Sequence, residues 1–213
     1  PLPRRHRGAL ADNPERGRCD AVFVARHGGM GEDGTLQALL DLAHVPYTGS
    51  GMLASALAMD KSRAKALLRA AGVPSAREIF LDGREGEVAV DGAARAAAVP
   101  PDMGLLGGYP VVVKPNAQGS SVGVHLVRGA ADLEEALQDA SRYGAVLIEE
   151  FIPGREITVA VLDGEALPVV EIIPEAGFYD YLHKYTKGQT RYEVPADLPA
   201  EAAAEAARLG ERA

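Results

Sequence analysis

The feature that most constrains this chain is a glycine- and serine-rich turn set between two β-rich runs. Tyr109-Pro110-Val111-Val112-Val113-Lys114 precedes the turn, and Val122-Gly123-Val124-His125-Leu126-Val127 follows it. β-Branched residues suit a pleated, half-buried surface, so the natural reading is strand, glycine loop, strand. Within Gln118-Gly119-Ser120-Ser121-Val122-Gly123 the small residues let backbone N–H groups approach a phosphate, and two hydroxyls can add hydrogen bonds. The chain returns into a strand instead of entering a helix, which separates this loop from both the Walker A and the dinucleotide-binding fingerprints. Taken alone, the same composition also describes a plain turn.

The neighbouring segments supply an α/β frame for that loop. Residues 20–25 read as a short buried strand running into His27-Gly28-Gly29-Met30-Gly31-Glu32-Asp33-Gly34. Leu36, Leu39, Leu40 and Ala43 then recur at helical spacing. Residues 53–71 predict one helix with Lys61 in its middle, Gly72 at the C′ position and Pro74 as a stop. Residues 78–81 suggest a strand, and the Ala/Gly/Pro-rich stretch up to 108 reads as a connection. Asp132 with Glu135 forms a capping-box pattern for a helix through Ala140. Residues 146–149 and 156–162 predict two strands joined by the turn-prone Pro153-Gly154, and an alanine-rich helix follows from 199. The order is an α/β start followed by a hairpin-rich α+β unit, with no internal repeat.

Composition narrows the partners. At 213 residues and 47% hydrophobic content the chain can bury a substantial core. No stretch approaches the roughly 20 apolar residues of a membrane-spanning helix, and residues 1–18 have no apolar signal region. Cys19 is the single cysteine, which fits a reducing cytoplasm and a soluble protein. A formal charge of −8 argues against nucleic acid as the main partner, whereas an anionic nucleotide needs only a few local lysines.

Two lysines and two glutamates stand where such a site would need them. Lys114 ends an apolar strand four residues before Gln118, where the glycine loop starts, and an unpaired ammonium there would be costly to bury, so an anion or water must face it. Lys61 by itself reads as a surface helix lysine. Glu149 and Glu156 bracket a strand–turn–strand able to present backbone groups to a base edge and a carboxylate to ribose hydroxyls; by themselves they are ordinary solvated carboxylates.

Five ordered motifs together resemble the D-alanine–D-alanine ligase family of the ATP-grasp superfamily, from about Asp20 to Pro195. They are residues 27–37; Pro46-Tyr47-Thr48-Gly49-Ser50-Gly51 with Ser55-Ala56-Leu57-Ala58-Met59-Asp60-Lys61; Val113-Lys114-Pro115 with Gly119-Ser120-Ser121-Val122-Gly123; residues 149–156; and Phe178-Tyr179-Asp180-Tyr181-Leu182-His183-Lys184-Tyr185. The resemblance implies that ATP phosphorylates the carboxylate of one D-alanine and the amine of a second attacks the acylphosphate, giving a dipeptide for peptidoglycan. It implies ATP with Mg²⁺, or Mn²⁺ in its place, two D-alanine substrates, no nucleic acid or membrane partner, a cytoplasmic location and a homodimer.

By position, the resemblance implies that Lys61, Lys114 and the loop residues Gly119, Ser120 and Ser121 hold phosphates. Glu149 and the backbone at Ile152 meet the adenine, Glu156 holds the ribose, and Lys184 reaches the transferring phosphate. Ser120 and Tyr185 position the first substrate and tie shut a lid spanning 179–192, and His27 lies beside the first D-alanine. Glu32 and Asp33 read instead as structural caps.

The implied architecture is a partial pre-ATP-grasp α/β domain (1–54), a first ATP-grasp subdomain (55–148) and the start of a second, truncated one (149–213). Nothing in residues 1–18 matches the family's opening glycine-loop glutamate motif, and its metal-binding group would fall past Ala213, so no metal ligand is assigned and the chain alone is expected to bind metal·ATP poorly and turn over little. Two other readings stand beside this one: another ATP-grasp carboxylate–amine ligase, and a non-catalytic nucleotide-binding remnant.

Overall fold

The computed structural model describes residues 20–26, 28–82, 87–90, 93–95, 102–174 and 190–213. The chain divides into two compact units, Pro1–Leu57 and Ala58–Ala213. No helix among the described residues is long and apolar enough to cross a membrane.

In the first unit, the glycine-rich segment makes a 3₁₀ turn at Gly29–Gly31 before helix α1 (Thr35–Leu42). Glu32 Oε2 closes that turn by accepting from the Gly28 N–H at 2.8 Å, and at the helix start Asp33 Oδ1 accepts from the Thr35 N–H at 2.9 Å. Asp33 thereby caps a donor that the helix leaves unsatisfied. Leu40 and Gln37 are the buried residues of α1, and Gln37 Nε2 donates to the Gly31 carbonyl at 3.0 Å. Helix α2 (Met52–Met59) follows.

The strand predicted at 20–25 forms only one parallel bridge among the described residues, Val22 to Tyr47. It is not buried, and Phe23 is 78% exposed. A segment paired at one point has no sheet face against which to bury its side chains.

The helix predicted over 53–71 is two helices, because Asp60 leaves the helical conformation and caps helix α3 (Lys61–Ala70), its side chain accepting from the Arg63 N–H. Lys61 is therefore the first residue of α3 and not a mid-helix lysine. The C-terminal end follows expectation: Gly72, at φ +72°, donates to Arg69 O and Val73 to Leu68 O, closing the last carbonyls.

A six-stranded antiparallel sheet follows, made of β1 (Glu78–Asp82), β2 (Glu87–Val90), β3 (Ala93–Arg95), β4 (Val111–Pro115), β5 (His125–Val127) and β6 (Val146–Glu150) in the order β3-β2-β1-β6-β4-β5. Strands β2 and β3 lie in the stretch read as a plain connection; alanine and glycine weaken the β signal there, and pairing of β2 to β1 and of β3 to β2 supplies what propensity does not. Helix α4 (Leu133–Ser141) lies between β5 and β6 in the chain. Its predicted capping box does not form: Asp132 makes no side-chain cap bond and instead ends a 3₁₀ turn over Ala130–Asp132. The strand predicted at 122–127 is limited to its last three residues, because Ser121 and Gly123 take left-handed φ values of +57° and +68° that no strand adopts.

Register sorts this sheet into two unlike faces. Ile79 opposes Ile148, Val113 opposes the same Ile148, and Val111 opposes Val127. These residues form one cluster with Val146, Met103, Leu106 and the α4 residues Ala136 and Ala140. Each fully buried Ile or Val there is worth about 1.5–3 kcal/mol. One residue out of phase, Glu78 opposes Glu149, so the opposite face carries charge.

The remaining strands are β7 (Glu156–Thr158), β8 (Val161–Leu162), β9 (Glu165–Ala166), β10 (Val170–Pro174) and β11 (Thr190–Glu193), followed by helix α5 (Ala200–Arg212). They make a three-stranded sheet, β11-β10-β7, and the separate hairpin β8-β9. The strand predicted at 156–162 is thus split, and it does not pair with β6 as a hairpin. Arg155 decides this: its Nε donates to Glu171 Oε1 at 2.6 Å, its Nη2 grips Glu171 Oε2, and its Nη1 donates to Asp197 O at 2.8 Å. That bidentate fork commits β7 to β10. Gly210 lets α5 approach the hairpin segment, since an added Cβ would meet Val159 Cγ1 at 2.9 Å.

In the first unit, Gly34 sits at φ +86°, and an added Cβ would stand 2.6 Å from the Met52 carbonyl oxygen, a backbone atom with no room to yield. Gly34→Ala should lower the urea midpoint by the equivalent of about 1–3 kcal/mol. Gly49→Ala, also at positive φ but facing open space, should cost less; equal losses in the two variants would contradict the packing account.

Candidate functional site

Helix α3 begins beside the glycine loop because Asn116 binds the two together. The Asn116 N–H donates to Ala145 O at 2.8 Å, its Oδ1 accepts from the Ser62 N–H at 2.9 Å, and its Nδ2 donates to Asp60 Oδ1 at 2.9 Å. Asn116 is buried, and these bonds satisfy its amide at the point where β4 gives way to the loop. Lys61 then lies against the loop's own backbone, its Nζ donating to Gln118 O at 2.6 Å and Asn116 O at 3.2 Å. An ammonium held on the carbonyls of a loop fixes their direction and leaves a cation at the loop's edge.

The backbone of the loop is strained. Ser120 and Ser121 have φ of +55° and +57°, a region side-chain-bearing residues avoid, and such outliers concentrate at binding sites. Gly123, at φ +68°, is closely fitted: an added Cβ would stand 3.0 Å from Pro115 Cγ and 3.1 Å from Tyr143 Cε2, so a side chain there is strained.

Next to the loop, the charged sheet face holds a ladder of alternating signs. Lys114 Nζ is 2.5 Å from Glu149 Oε2; Lys65 Nζ is 2.7 Å from Glu149 Oε1 and 2.8 Å from Glu78 Oε2; Arg69 Nη2 is 3.2 Å from Glu78 Oε1. Lys114 and Glu149 meet diagonally, for Val112 is the residue directly opposite Glu149. Glu78 is fully buried and Glu149 nearly so. Burial pushes the Glu149 carboxyl upward, but the charges of Lys114 and Lys65 and their hydrogen bonds outweigh it and hold the group below its ordinary range. Among the described residues the ladder joins three cations to two carboxylates, and Lys61 lies beside the loop, an arrangement that suits an anionic ligand.

The structure thus brings together Lys61, Lys114, Glu149 and the loop residues Gly119, Ser120 and Ser121. The anion facing Lys114 is a protein carboxylate. Ile152 lies in the exposed turn after β6, and Glu156 is exposed on β7. The turn starts from a fixed point, because the Arg77 N–H and Nε both donate to Glu150, at 2.8 and 2.7 Å. His27, Lys184 and Tyr185 lie outside the described residues.

Sequence reasoning missed Lys65, Arg69, Glu78 and Asn116. A signal for the first two was present: Lys61, Lys65 and Arg69 recur every fourth residue and so share one helix face. Among the described residues, no group of three or more His, Cys, Asp or Glu stands where it could hold a metal ion.

Comparison with known proteins matches two family models, "D-ala D-ala ligase N-terminus" over residues 4–50 and "D-ala D-ala ligase C-terminus" over residues 99–213. The first reaches closer to the start of the chain than the Asp20 at which the motif resemblance begins. Relatives named D-alanine--D-alanine ligase include one from Syntrophotalea carbinolica, 45% identical over 88% of this chain and 57% of its own length. Another, from Anaeromyxobacter dehalogenans, is 47% identical over 84% of this chain and 55% of its own length. The chain therefore spans little more than half of these relatives.

Among solved structures, D-alanine--D-Alanine Ligase from Bacillus anthracis superposes with a TM-score of 0.74 at 33% identity, covering 99% of this chain and 64% of that one. A structure of the Bacillus anthracis ligase complexed with ATP gives 0.70 at 33% identity, covering 90% of this chain and 58% of that one. VanG D-Ala:D-Ser Ligase from Enterococcus faecalis gives 0.70 at 31% identity, covering 91% and 55%.

A carboxyl held below its unfolded value contributes stability above the unfolded pKa, about 4.3 for Glu, and loses it as pH falls through the lower folded value. Glu149→Gln should therefore unfold at lower urea than the parent at pH 7, and the gap between the two should narrow as the pH drops below about 4.3. A gap that stays constant down to about pH 3, below the unfolded carboxyl value, would show that Glu149 is not held ionised by its lysines.

Proposed function

Because this chain belongs to the D-alanine–D-alanine ligase family, we propose that it forms the nucleotide-binding part of an enzyme that joins two D-alanines at the expense of ATP in peptidoglycan synthesis. The observation that carries this reading is the strained glycine loop, stitched by Lys61 and bordered by the Lys114–Glu149 pair. A triphosphate needs backbone donors at close approach and cations that are already in place, and this corner of the second unit offers both.

In this reading, ATP supplies the phosphoryl group that turns one D-alanine carboxylate into a leaving group. The chain's own residues do the positioning. Loop N–H groups and Lys61 hold the phosphates, Lys114 turns from Glu149 toward them, and Glu149 with the backbone at Ile152 takes the adenine edge. Glu156 holds the ribose. Ser120 orients the first D-alanine together with His27 and Tyr185, while Lys184 steadies the charge that moves with the phosphoryl group. Mg²⁺ is proposed as the counter-ion that accompanies ATP. Residues 55–148 are read as the first ATP-grasp subdomain, 149–213 as the start of the second and 1–54 as part of the preceding α/β domain, with the assembly a homodimer and the location cytoplasmic.

The test exchanges this chain for the matching stretch of the Anaeromyxobacter dehalogenans relative and measures phosphate release from ATP and Mg²⁺. D-Alanine, L-alanine, D-lactate and D-serine serve as alternative substrates. D-Alanine alone should support release, and Lys114→Met should cut it by about 10²-fold or more, the usual effect of losing a charge-stabilising group. A chimera that binds ATP yet releases no phosphate with any of the four would overturn the ligase reading and favour a non-catalytic nucleotide-binding module.

A further inference from the structure

Lys65 has no part in the scheme above, yet it occupies the centre of the charged face. It is 8% exposed, the fourth residue of α3 after Lys61, and its ammonium lies between two carboxylates that oppose each other across β1 and β6. Like charges placed directly opposite on neighbouring strands repel, and burial sharpens the repulsion. Lys65 Nζ donates a hydrogen bond to Glu149 Oε1 at 2.7 Å and pairs by charge with Glu78 Oε2 at 2.8 Å, as a compact ammonium on a flexible stem can.

The geometry points to Lys65 as a positioning residue of the nucleotide site: it is the fixed counter-ion that keeps Glu149 ionised and aimed when Lys114 leaves it for a phosphate. The inference rests on the reading of Lys114 given above. Lys114 cannot neutralise Glu149 and serve a phosphate equally well. If it were the sole partner, its departure would strand a buried carboxylate, which would take up a proton or turn away. Each Glu149 oxygen has its own cation, Oε1 on Lys65 and Oε2 on Lys114. The two differ in freedom: Lys65 is clamped between two carboxylates inside the helix–sheet layer, and the Lys114 side chain is 21% exposed at the strand end that enters the loop. Arg69, one helical turn beyond Lys65, shares the charge of Glu78 and so leaves Lys65 available to Glu149.

The charged groups that bear on Glu149 are Lys65 and Arg69 from α3, Glu78 from β1 and Lys114 from β4. The experiment removes Lys114 permanently, as Lys114→Met, to imitate its departure. Glu78→Gln is added so that loss of Lys65 does not also expose a bare Glu78. In that background the Glu149 carboxyl is titrated by ¹³C NMR with Lys65 present, as Lys65→Met and as Lys65→Arg.

With Lys65 present, the carboxyl should titrate below the usual glutamate value; Lys65→Met should raise it by at least about one unit, the effect of one close opposite charge. Lys65→Arg should bring most of that shift back. An unchanged titration in Lys65→Met would overturn the inference. With Lys114 intact, Lys65→Met/Glu78→Gln should bind ATP more weakly than Glu78→Gln, because Glu149 then has one fixed partner fewer to hold its direction. A merely structural lysine would instead lower the urea midpoint and leave the Glu149 titration and the ATP affinity of the folded protein where they were. Absence of ATP binding in the chimera described above would count against the proposed function, while the carboxyl titration would still decide the role of Lys65.

Discussion

Two buried carboxylates facing each other across adjacent strands would drive a sheet apart, and the ion pairs that prevent this organise everything else in the second unit. Glu78 and Glu149 are brought together by the same register that stacks Ile79 on Ile148 on the opposite face. That apolar face cannot form without the charged one, because a one-residue slip would move every side chain to the wrong side. Lys65 and Arg69 from α3 and Lys114 from β4 are therefore conditions of the fold as well as features of a site.

A second consequence is local. Tying α3 down through Lys65 and Arg69 also sets its first turn, where Asp60 and Asn116 join the helix to the end of β4. The loop after Asn116 is then held at one end by a helix start and at its other end by the close fit of Gly123 against Pro115 and Tyr143. Between those anchors, two serines are kept in the left-handed region. Strain of this kind persists only where the surroundings determine the backbone, and here it shapes a loop whose small residues and neighbouring cations match the demands of a triphosphate.

Much of this was legible from the sequence, for reasons that differ by element. The strand–loop–strand around 115–121 was readable because β-branched runs and a Gly/Ser cluster are both local signals. The end of α3 was readable for the same reason, through Gly72 and Pro74. What depends on tertiary pairing was not. Asp60 looks like an ordinary polar residue until Asn116 arrives from far along the chain to complete the cap. The 156–162 run reads as one strand until Arg155 commits its first half to β10. Strands β2 and β3 are too alanine-rich to announce themselves. In the site, motif reading reached Lys61, Lys114 and Glu149, but Lys65 and Glu78 sit in plain helix and strand contexts, and only their meeting gives them meaning.

The claim at the centre of the account is that the glycine loop and the charged sheet face together receive a nucleotide triphosphate. Amide hydrogen exchange read by mass spectrometry, with and without saturating ATP and Mg²⁺, tests it most directly, because opening of a loop is measured where it occurs. The account predicts that ATP slows exchange at 117–123 and at 149–152, and leaves α4, packed on the apolar face, unchanged. Protection confined to α4 and β5, with none in the loop, would contradict it.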